Sequence, residues 1–380
     1  MSALLERLDA KTPKKILSLD GGGIRGALTL GYLKRIEDII KAKHSNKPDY
    51  RMSDYFDLIG GTSTGAIIAS LLAIGKSVDE IKDLYMDLGN KIFGEKRNWW
   101  NPMETMKWLK ANYDYAGLKQ GLMDALGKDT ILGSDKIKTG LCIVAKRADT
   151  NSIWPMINHP RGKFYDTEYG HNKDLLLWQV VRASTAAPTY FAPQMVEVSK
   201  NQTAAFIDGG LSMANNPALT LLMIATLKGF PFQWPMGEDK ILLVSVGTGS
   251  LQFTKHAGDI DEATLLTWAS SIPDMLMQDA SWQNRMILQW LSNSRTAEEM
   301  DMEIGNMDGD YISGSPLLSY LRYNFSFSEK NLNALGLDKT FSKEDVKDIS
   351  DMAKASNKEL LYKIGHKASA SVMEEHFDKF

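Results

Sequence analysis

The sequence has little cysteine, little histidine and no excess of charge of one sign. Its 380 residues include one cysteine, Cys142, and six histidines that lack the Cys/His spacing of a zinc site. An internal disulfide is therefore excluded, and the composition indicates a reducing cytoplasm and no bound metal. Lysine and arginine total 44 against 47 acidic residues, a formal net charge of −3, so no general field favours a nucleic acid partner.

Long hydrophobic runs are also missing. The N-terminal segment carries Glu6, Arg7, Asp9 and Lys11 where a secretory signal needs an apolar stretch, so we predict no signal peptide. The uncharged stretch 58–75 contains Gly-Gly-Thr-Ser-Thr-Gly in its first half and is too polar for a membrane-spanning helix. We therefore expect a cytoplasmic protein that meets a membrane only peripherally, at its inner face.

What the sequence does contain is a regular alternation of short apolar strands and amphipathic helices. A strand at 14–20 and a strand at 55–59 each run through a glycine-rich turn into a helix. Two such units predict right-handed crossovers and a parallel sheet. Further strands are predicted at 141–145, 205–207 and 241–246, and further helices at 66–74, 78–88, 103–109, 174–183, 218–227 and 265–277.

One of these turns has the sequence Gly61-Thr62-Ser63-Thr64-Gly65. A Gly-x-Ser-x-Gly sequence between a strand and a helix is typical of a nucleophile elbow, a turn so tight that its flanking residues must be small. The serine hydroxyl is then exposed at the start of a helix whose dipole favours negative charge. We predict that Ser63 is a nucleophile; the competing interpretation is a turn that serves the fold alone.

The other turn follows the first predicted strand and has the sequence Asp20-Gly21-Gly22-Gly23-Ile24-Arg25-Gly26. Consecutive glycine amides can point into one concavity and bind an anion, such as the oxyanion of an acyl transfer. The glycine spacing also fits a dinucleotide-binding loop, which makes an oxidoreductase an alternative. Against it, the acidic residues about 20 positions on, Glu37 and Asp38, fall inside a predicted helix.

A third candidate is an aspartate that leaves an apolar strand into two glycines, at Asp208-Gly209-Gly210. Asp-Gly is a common turn pair, so this segment alone is weak evidence for a function. We expect Asp208 to face Ser63 across the sheet, where a carboxylate would serve as a base. The stretches 182–188 and 244–249 are interpreted as structural turns at the same end of the sheet.

The three motifs together resemble the patatin-like phospholipase family, and they occur in that family's order. The likeness covers about residues 16–249, and the chain from about Tyr320 resembles the helical end of bacterial stand-alone members. The resemblance implies a three-layer α/β/α fold with a central, mainly parallel sheet. It also implies hydrolysis of lipid acyl esters by a serine–aspartate dyad without metal or cofactor.

Carried onto this sequence, the resemblance assigns Ser63 as the nucleophile, Asp208 as the base and the Gly21–Gly26 loop as the oxyanion hole. We predict a catalytic domain over 12–325 and a helical C-terminal extension over 326–380 that packs on it. Helices are predicted in this extension at 343–352 and 359–376.

The expected substrate is a membrane glycerophospholipid, so the chain needs a surface for the bilayer. Trp99 and Trp100, which follow Lys96 and Arg97, are the first candidates, because tryptophan beside cations suits the headgroup region. The apolar loop 230–234 is the second. For either segment, packing in the core is the competing interpretation.

Three alternatives remain open at this stage. One is an esterase with a Ser-His-Asp triad, with His256 or His366 as base; another is the dinucleotide-binding oxidoreductase; the third is a noncatalytic lipid-binding module. Some bacterial proteins similar to this one are phospholipase effectors switched on by cyclic nucleotides in antiphage defence. A cyclic nucleotide is therefore a candidate activator, although no residue is assigned to it.

Overall fold

The computed structural model describes residues 3–93, 115–188, 190–200, 202–251, 258 and 264–380. Within these ranges a central sheet of nine strands has the order β5-β6-β3-β2-β1-β7-β10-β9, and β4 pairs with β3 outside this path. A small second sheet joins β8 to β11. The strands are β1 Lys14–Leu19, β2 Leu58–Thr62, β3 Gly140–Arg147, β4 Ser152–Ile157, β5 Gln194–Ser199, β6 Gln202–Asp208, β7 Ile241–Val246, β8 Ser250–Leu251, β9 Ser292–Asn293, β10 Leu318–Tyr323 and β11 Ser326–Phe327.

Helices flank this sheet, and together they form the three-layer α/β/α fold that the resemblance implies. In the described ranges the helices are α1 Ala3–Asp9, α2 Gly26–Lys43, α3 Met52–Tyr55, α4 Thr64–Ala73, α5 Val78–Phe93, α6 Tyr115–Leu126, α7 Leu177–Ser184, α8 Ala218–Thr226, α9 Leu265–Leu291, α10 Glu329–Ala334, α11 Lys343–Ile349 and α12 Lys358–Ala368. None of them is long and apolar enough to cross a membrane.

Neighbouring residues on the central strands pack into two different cores. Leu17 and Ile59 belong to one buried cluster, whereas Ile16 and Leu58 belong to the other. Successive side chains of a strand point to opposite faces, so both faces of β1 and β2 are covered by apolar residues. This double burial explains why these strands appear in the sequence as short continuous apolar runs.

The centre of the sheet is parallel, as predicted, but one side of it is not. Strands β1, β2, β3, β7, β9 and β10 run parallel, whereas β4 and β6 run antiparallel to β3, and β5 runs antiparallel to β6. The sequence pattern predicted none of these reversals. The short loop 148–151 between β3 and β4 allows only a hairpin, because a parallel connection needs a crossover of a dozen or more residues.

Several predicted boundaries were wrong. Residues 52–55 form a helical turn, in which Asp54 accepts a 2.8 Å hydrogen bond from the Arg51 amide, and β2 begins only at Leu58. The helix predicted at 359–376 ends at Ala368 and continues as 3₁₀ turns. The predicted helix 103–109 lies outside the described residues.

The C-terminal residues pack closely on the rest of the chain. Helix α12 crosses α2 at a pair of glycines: a Cβ on Gly365 would lie 2.1 Å from the Leu28 carbonyl oxygen, and one on Gly31 would lie 2.3 Å from the His366 nitrogen. Ile364 and Phe377 belong to the same buried cluster as α2. A domain boundary at residue 325 stays a prediction.

Candidate active site

Ser63 lies in a strained turn between β2 and α4. Its backbone has φ 54° and ψ −121°, a conformation that residues other than glycine seldom adopt. A Cβ on Gly61 would stand 2.2 Å from the Gly65 carbonyl oxygen, and one on Gly65 would stand 2.3 Å from the Leu19 carbonyl oxygen. The turn therefore closes only with glycine at both flanks.

Asp208 reaches Ser63 because two strands share one edge of β3. Strand β4 pairs with β3 over residues 142–147, so β2 and β6 both use the opposite edge. On that edge Thr62 lies opposite Val144, and Asp208 lies opposite the next residue, Ala145. The carboxyl ends of β2 and β6 consequently meet head to head.

At this junction the hydroxyl of Ser63 donates a 2.6 Å hydrogen bond to Oδ2 of Asp208. The second oxygen, Oδ1, accepts a 2.7 Å bond from the amide of Gly210. A Cβ on Gly209 would lie 2.4 Å from the Val144 carbonyl oxygen, so glycine at that position lets β6 end against β3. Each carboxylate oxygen thus has a defined partner, and Oδ2 faces the serine.

The surroundings of Asp208 alter its affinity for a proton. Burial raises the pKa of Asp208 to about 6, while the hydrogen bonds from Ser63 and Gly210 and the charge of Arg182 oppose the rise. A carboxylate with a pKa near 6 is a better proton acceptor than an ordinary aspartate and is still ionised at neutral pH.

The Ser63 amide is held by a side chain from a third element. It donates a 2.8 Å hydrogen bond to the hydroxyl oxygen of Ser184, the last residue of α7. That hydroxyl donates in turn to the Val144 carbonyl oxygen at 2.6 Å. Ser184 is fully buried and connects the strained turn directly to β3.

The glycine loop lies against the serine: a Cβ on Gly21 would stand 3.2 Å from Cβ of Ser63. Four of its six amides are already bonded, since Gly21 donates to Asn215, Ile24 to Met352, Arg25 to Gly22, and Gly26 to Gly23 and Ile24. Among the residues that the structure describes, the amides of Gly22 and Gly23 have no acceptor. Of the six amides predicted to bind an anion, only these two are therefore available as donors.

Among the described residues, neither rival set of catalytic residues is found at Ser63. His256 lies outside the described residues, and His366 is an exposed residue of α12 whose ring lies near Tyr362. No hydrogen bond joins a histidine of the described part of the chain to Ser63 or Asp208. Glu37, one of the two acidic residues compared with the dinucleotide-binding pattern, is buried in α2 and accepts a 3.2 Å hydrogen bond from the Val78 amide.

Only one of the two segments predicted to contact a membrane lies in the described part of the chain. Trp99 and Trp100 lie outside the described residues. In the second candidate loop, Phe232 and Trp234 are buried in a core cluster, and the Trp234 indole donates a 3.0 Å bond to the Leu8 carbonyl oxygen. For these two residues the competing interpretation, packing in the core, is confirmed, whereas Gln233 between them is exposed.

Sequence reasoning did not identify Ser184 as a site residue, because it interpreted 182–188 as a structural turn. It also missed the partner of Asp20, which comes from β10, far along the chain. One sign for Ser184 was its place just before a Pro-containing turn at the carboxyl end of the sheet. For the ion pair no sequence signal exists.

Comparison with known proteins places these residues in a family context. Residues 17–222 match the model of the patatin-like phospholipases. Over 241 residues the chain is 32% identical to a cGAMP-activated phospholipase of Escherichia coli (strain TW11681), covering 62% of each chain. It is 33% identical over 218 residues to a cGAMP-activated phospholipase of Vibrio cholerae, covering 55% of this chain and 56% of that one.

A plant protein is also similar to this chain. Patatin-17 of Solanum cardiophyllum is 29% identical over 261 residues, which are 62% of this chain and 60% of that protein. The matched regions thus span between 56% and 62% of the length of these three relatives. The family match includes Ser63, Asp208 and the glycine loop.

Proposed function

The chain belongs to the patatin-like phospholipase family, and from that premise we propose that it hydrolyses carboxylic esters of membrane glycerophospholipids. The observation that carries the proposal is the 2.6 Å hydrogen bond from the Ser63 hydroxyl to Asp208. It joins the strained turn of Ser63 to a buried carboxylate, within the region that matches the family.

In the proposed reaction, Ser63 Oγ attacks the ester carbonyl carbon while its proton passes to Oδ2 of Asp208. The tetrahedral intermediate then collapses, and the departing lysophospholipid alcohol takes the proton from Asp208. Water attacks the acyl-serine with Asp208 again as base, which releases the fatty acid and restores the serine. The pKa of Asp208 near 6 suits both directions of this transfer.

The negative charge on the carbonyl oxygen is proposed to be stabilised by the amides of Gly22 and Gly23. Both have no acceptor among the described residues, and the loop that carries them touches Ser63 through Gly21. Preorganised backbone donors are commonly the largest single contribution to acyl-transfer catalysis. Of the loop's other amides, those of Arg25 and Gly26 bond within the loop, and those of Gly21 and Ile24 bond it to Asn215 and Met352.

A phospholipid substrate requires contact with a bilayer, and we propose peripheral association with the inner face of the membrane. Trp99 and Trp100 remain the proposed contacts. Replacing both with alanine is expected to lower binding to phospholipid vesicles, while hydrolysis of a short soluble ester stays near the wild-type rate. Equal losses on both substrates, with a lower melting temperature, would identify these residues as core instead.

Two relatives are named for activation by cGAMP, and we propose the same regulation for this chain. The test is hydrolysis of phosphatidylcholine–phosphatidylglycerol vesicles by the purified chain with and without cGAMP, followed by mass spectrometry of the fatty acids and lysolipids. Activity that needs cGAMP supports a gated effector, and equal activity without it supports an ungated lipase. No release of fatty acid in either condition would contradict the proposed function and favour a lipid-binding module.

A further inference from the structure

Asp20, the first residue of the glycine loop, forms a buried ion pair with an arginine from the second half of the chain. Nη1 of Arg322 donates to Oδ1 of Asp20 at 2.9 Å, and Nη2 donates to Oδ2 at 2.6 Å. The two side chains are 3% and 7% exposed. Such paired, parallel hydrogen bonds fix the plane of a carboxylate as well as its position.

Arg322 reaches Asp20 across an intervening strand. It lies on β10 opposite Ser245 of β7, and Ser245 lies opposite Ser18 of β1. The Ser245 hydroxyl accepts a 2.7 Å hydrogen bond from Nη1, so the intervening strand β7 also holds the guanidinium. The arginine also stands outside residues 17–222, the part of the chain that matches the family model.

The pair sits at the point where the loop leaves the sheet. The Asp20 amide donates to the Val246 carbonyl oxygen at 3.1 Å, and Gly21 follows directly. Beyond Asp20, the Gly21 carbonyl oxygen accepts from Thr248 at 2.9 Å and the Gly23 carbonyl oxygen accepts from Tyr85 at 2.6 Å. These are hydrogen bonds between neutral groups, whereas the ion pair holds the start of the loop through charge.

Charge matters here for a second reason. Asp20 is two residues from Gly22, one of the two proposed oxyanion donors, so an unpaired carboxylate would oppose the negative charge that forms in the reaction. Arg322 balances it inside the protein, where solvent does not screen the field. Stability alone is a weak explanation for such a pair, because the cost of burying two charges commonly cancels their attraction.

We propose that Arg322 is a positioning residue for catalysis: through Asp20 it holds the Gly22–Gly23 amides in place and neutralises the carboxylate beside them. This inference rests on the proposed ester hydrolysis. It predicts that loss of the arginine slows the chemical step more than it weakens substrate binding.

The test measures kcat and KM separately on a soluble p-nitrophenyl ester, well below the melting temperature of each variant. Arg322→Gln is expected to lower kcat about 10- to 100-fold while KM changes little, since small errors in donor position are costly. Arg322→Lys keeps the charge but loses the paired hydrogen bonds, so its kcat should lie between those of the wild type and Arg322→Gln. The double variant Asp20→Asn/Arg322→Gln should recover part of the loss, because no unpaired carboxylate remains.

The matched control is Arg161→Gln. Arg161 forms a two-bond ion pair with Asp9, at 2.8 and 2.5 Å, near the other end of β1. Its loss should leave kcat and KM unchanged. A wild-type kcat in folded Arg322→Gln would overturn the inference. If Arg322→Gln does not fold, a wild-type kcat in both folded Arg322→Lys and the folded double variant would overturn it. Wild-type protein that is inactive both with and without cGAMP, by contrast, would contradict the proposed function itself.

Discussion

Ser63 and Asp208, 145 residues apart in the chain, share a 2.6 Å hydrogen bond at the head-to-head junction of two strands. The junction exists because β6 runs antiparallel along the edge of β3 that β2 vacates after Thr62. Strand pairing brings the serine elbow and the aspartate together, and hydrogen bonds to Ser184 and from the Gly210 amide hold them in place. A third catalytic group to orient the base is therefore unnecessary in the proposed mechanism.

The first prediction concerns the base. Asp208→Asn should lower kcat on a soluble ester nearly as far as loss of the nucleophile does, because residues of one catalytic unit act non-additively. Its melting temperature at neutral pH should not fall, since a buried charge is replaced by a neutral group of the same shape. His366→Gln is the control and should retain activity. If folded Asp208→Asn hydrolyses the ester at the wild-type rate, another group is the base.

The second prediction is a pH dependence. Asp208 accepts the proton only when ionised, and burial raises its pKa to about 6. The value of kcat/KM should therefore fall as the pH decreases through about 6 and level off above about 7. The pKa of Asp208 is higher in the folded state than in the unfolded state, so the folded state binds this proton more tightly. Protonated Asp208 therefore stabilises the fold at low pH, and this contribution is lost as the pH rises through about 6. A rate that stays constant down to about pH 4 would contradict a raised pKa.

The third prediction concerns Ser184. Ser184→Ala removes the acceptor of the Ser63 amide and leaves a buried amide unpaired, which costs about 1 to 3 kcal/mol. We expect kcat to fall about 10-fold or more, with KM nearly unchanged, because the elbow loses its support. Ser70→Ala is the matched control, since the Ser70 hydroxyl is buried and has no hydrogen-bond partner in the described part of the chain. Equal kcat values for the two variants would show that Ser184 serves packing only.

The fourth prediction concerns the oxyanion donors. A Cβ on Gly22 would lie 2.2 Å from Thr248 Oγ1, and one on Gly23, where φ is +57°, would lie 2.4 Å from the Met352 carbonyl oxygen. Gly22→Ala and Gly23→Ala should each displace an amide and raise the barrier by about 2.7 to 4 kcal/mol. Gly229→Ala, where a Cβ meets no atom within 4 Å, is the control. If these variants keep the wild-type kcat but lose a nicotinamide or flavin that the wild-type protein binds, the dinucleotide alternative is supported instead.

The sequence predicted those parts of the site that depend on local steric demands. Gly61 and Gly65 around Ser63 are required by the turn itself, and the apolar runs before them follow from burial on both faces of the sheet. The partners that depend on strand order were not predictable. Ser184, at the end of α7, and Arg322, on β10, reach the site only because of the final arrangement of the sheet, and their local sequence does not identify their partners.

The most direct test of the account is covalent labelling of the intact protein with a fluorophosphonate, followed by peptide mass spectrometry. Such a reagent reacts with an activated serine, and the account predicts one adduct, on Ser63, together with complete loss of ester hydrolysis. Ser63→Ala should be folded, unlabelled and inactive. A label on another residue, together with retained hydrolysis in folded Ser63→Ala, would contradict the assignment of Ser63 as the nucleophile.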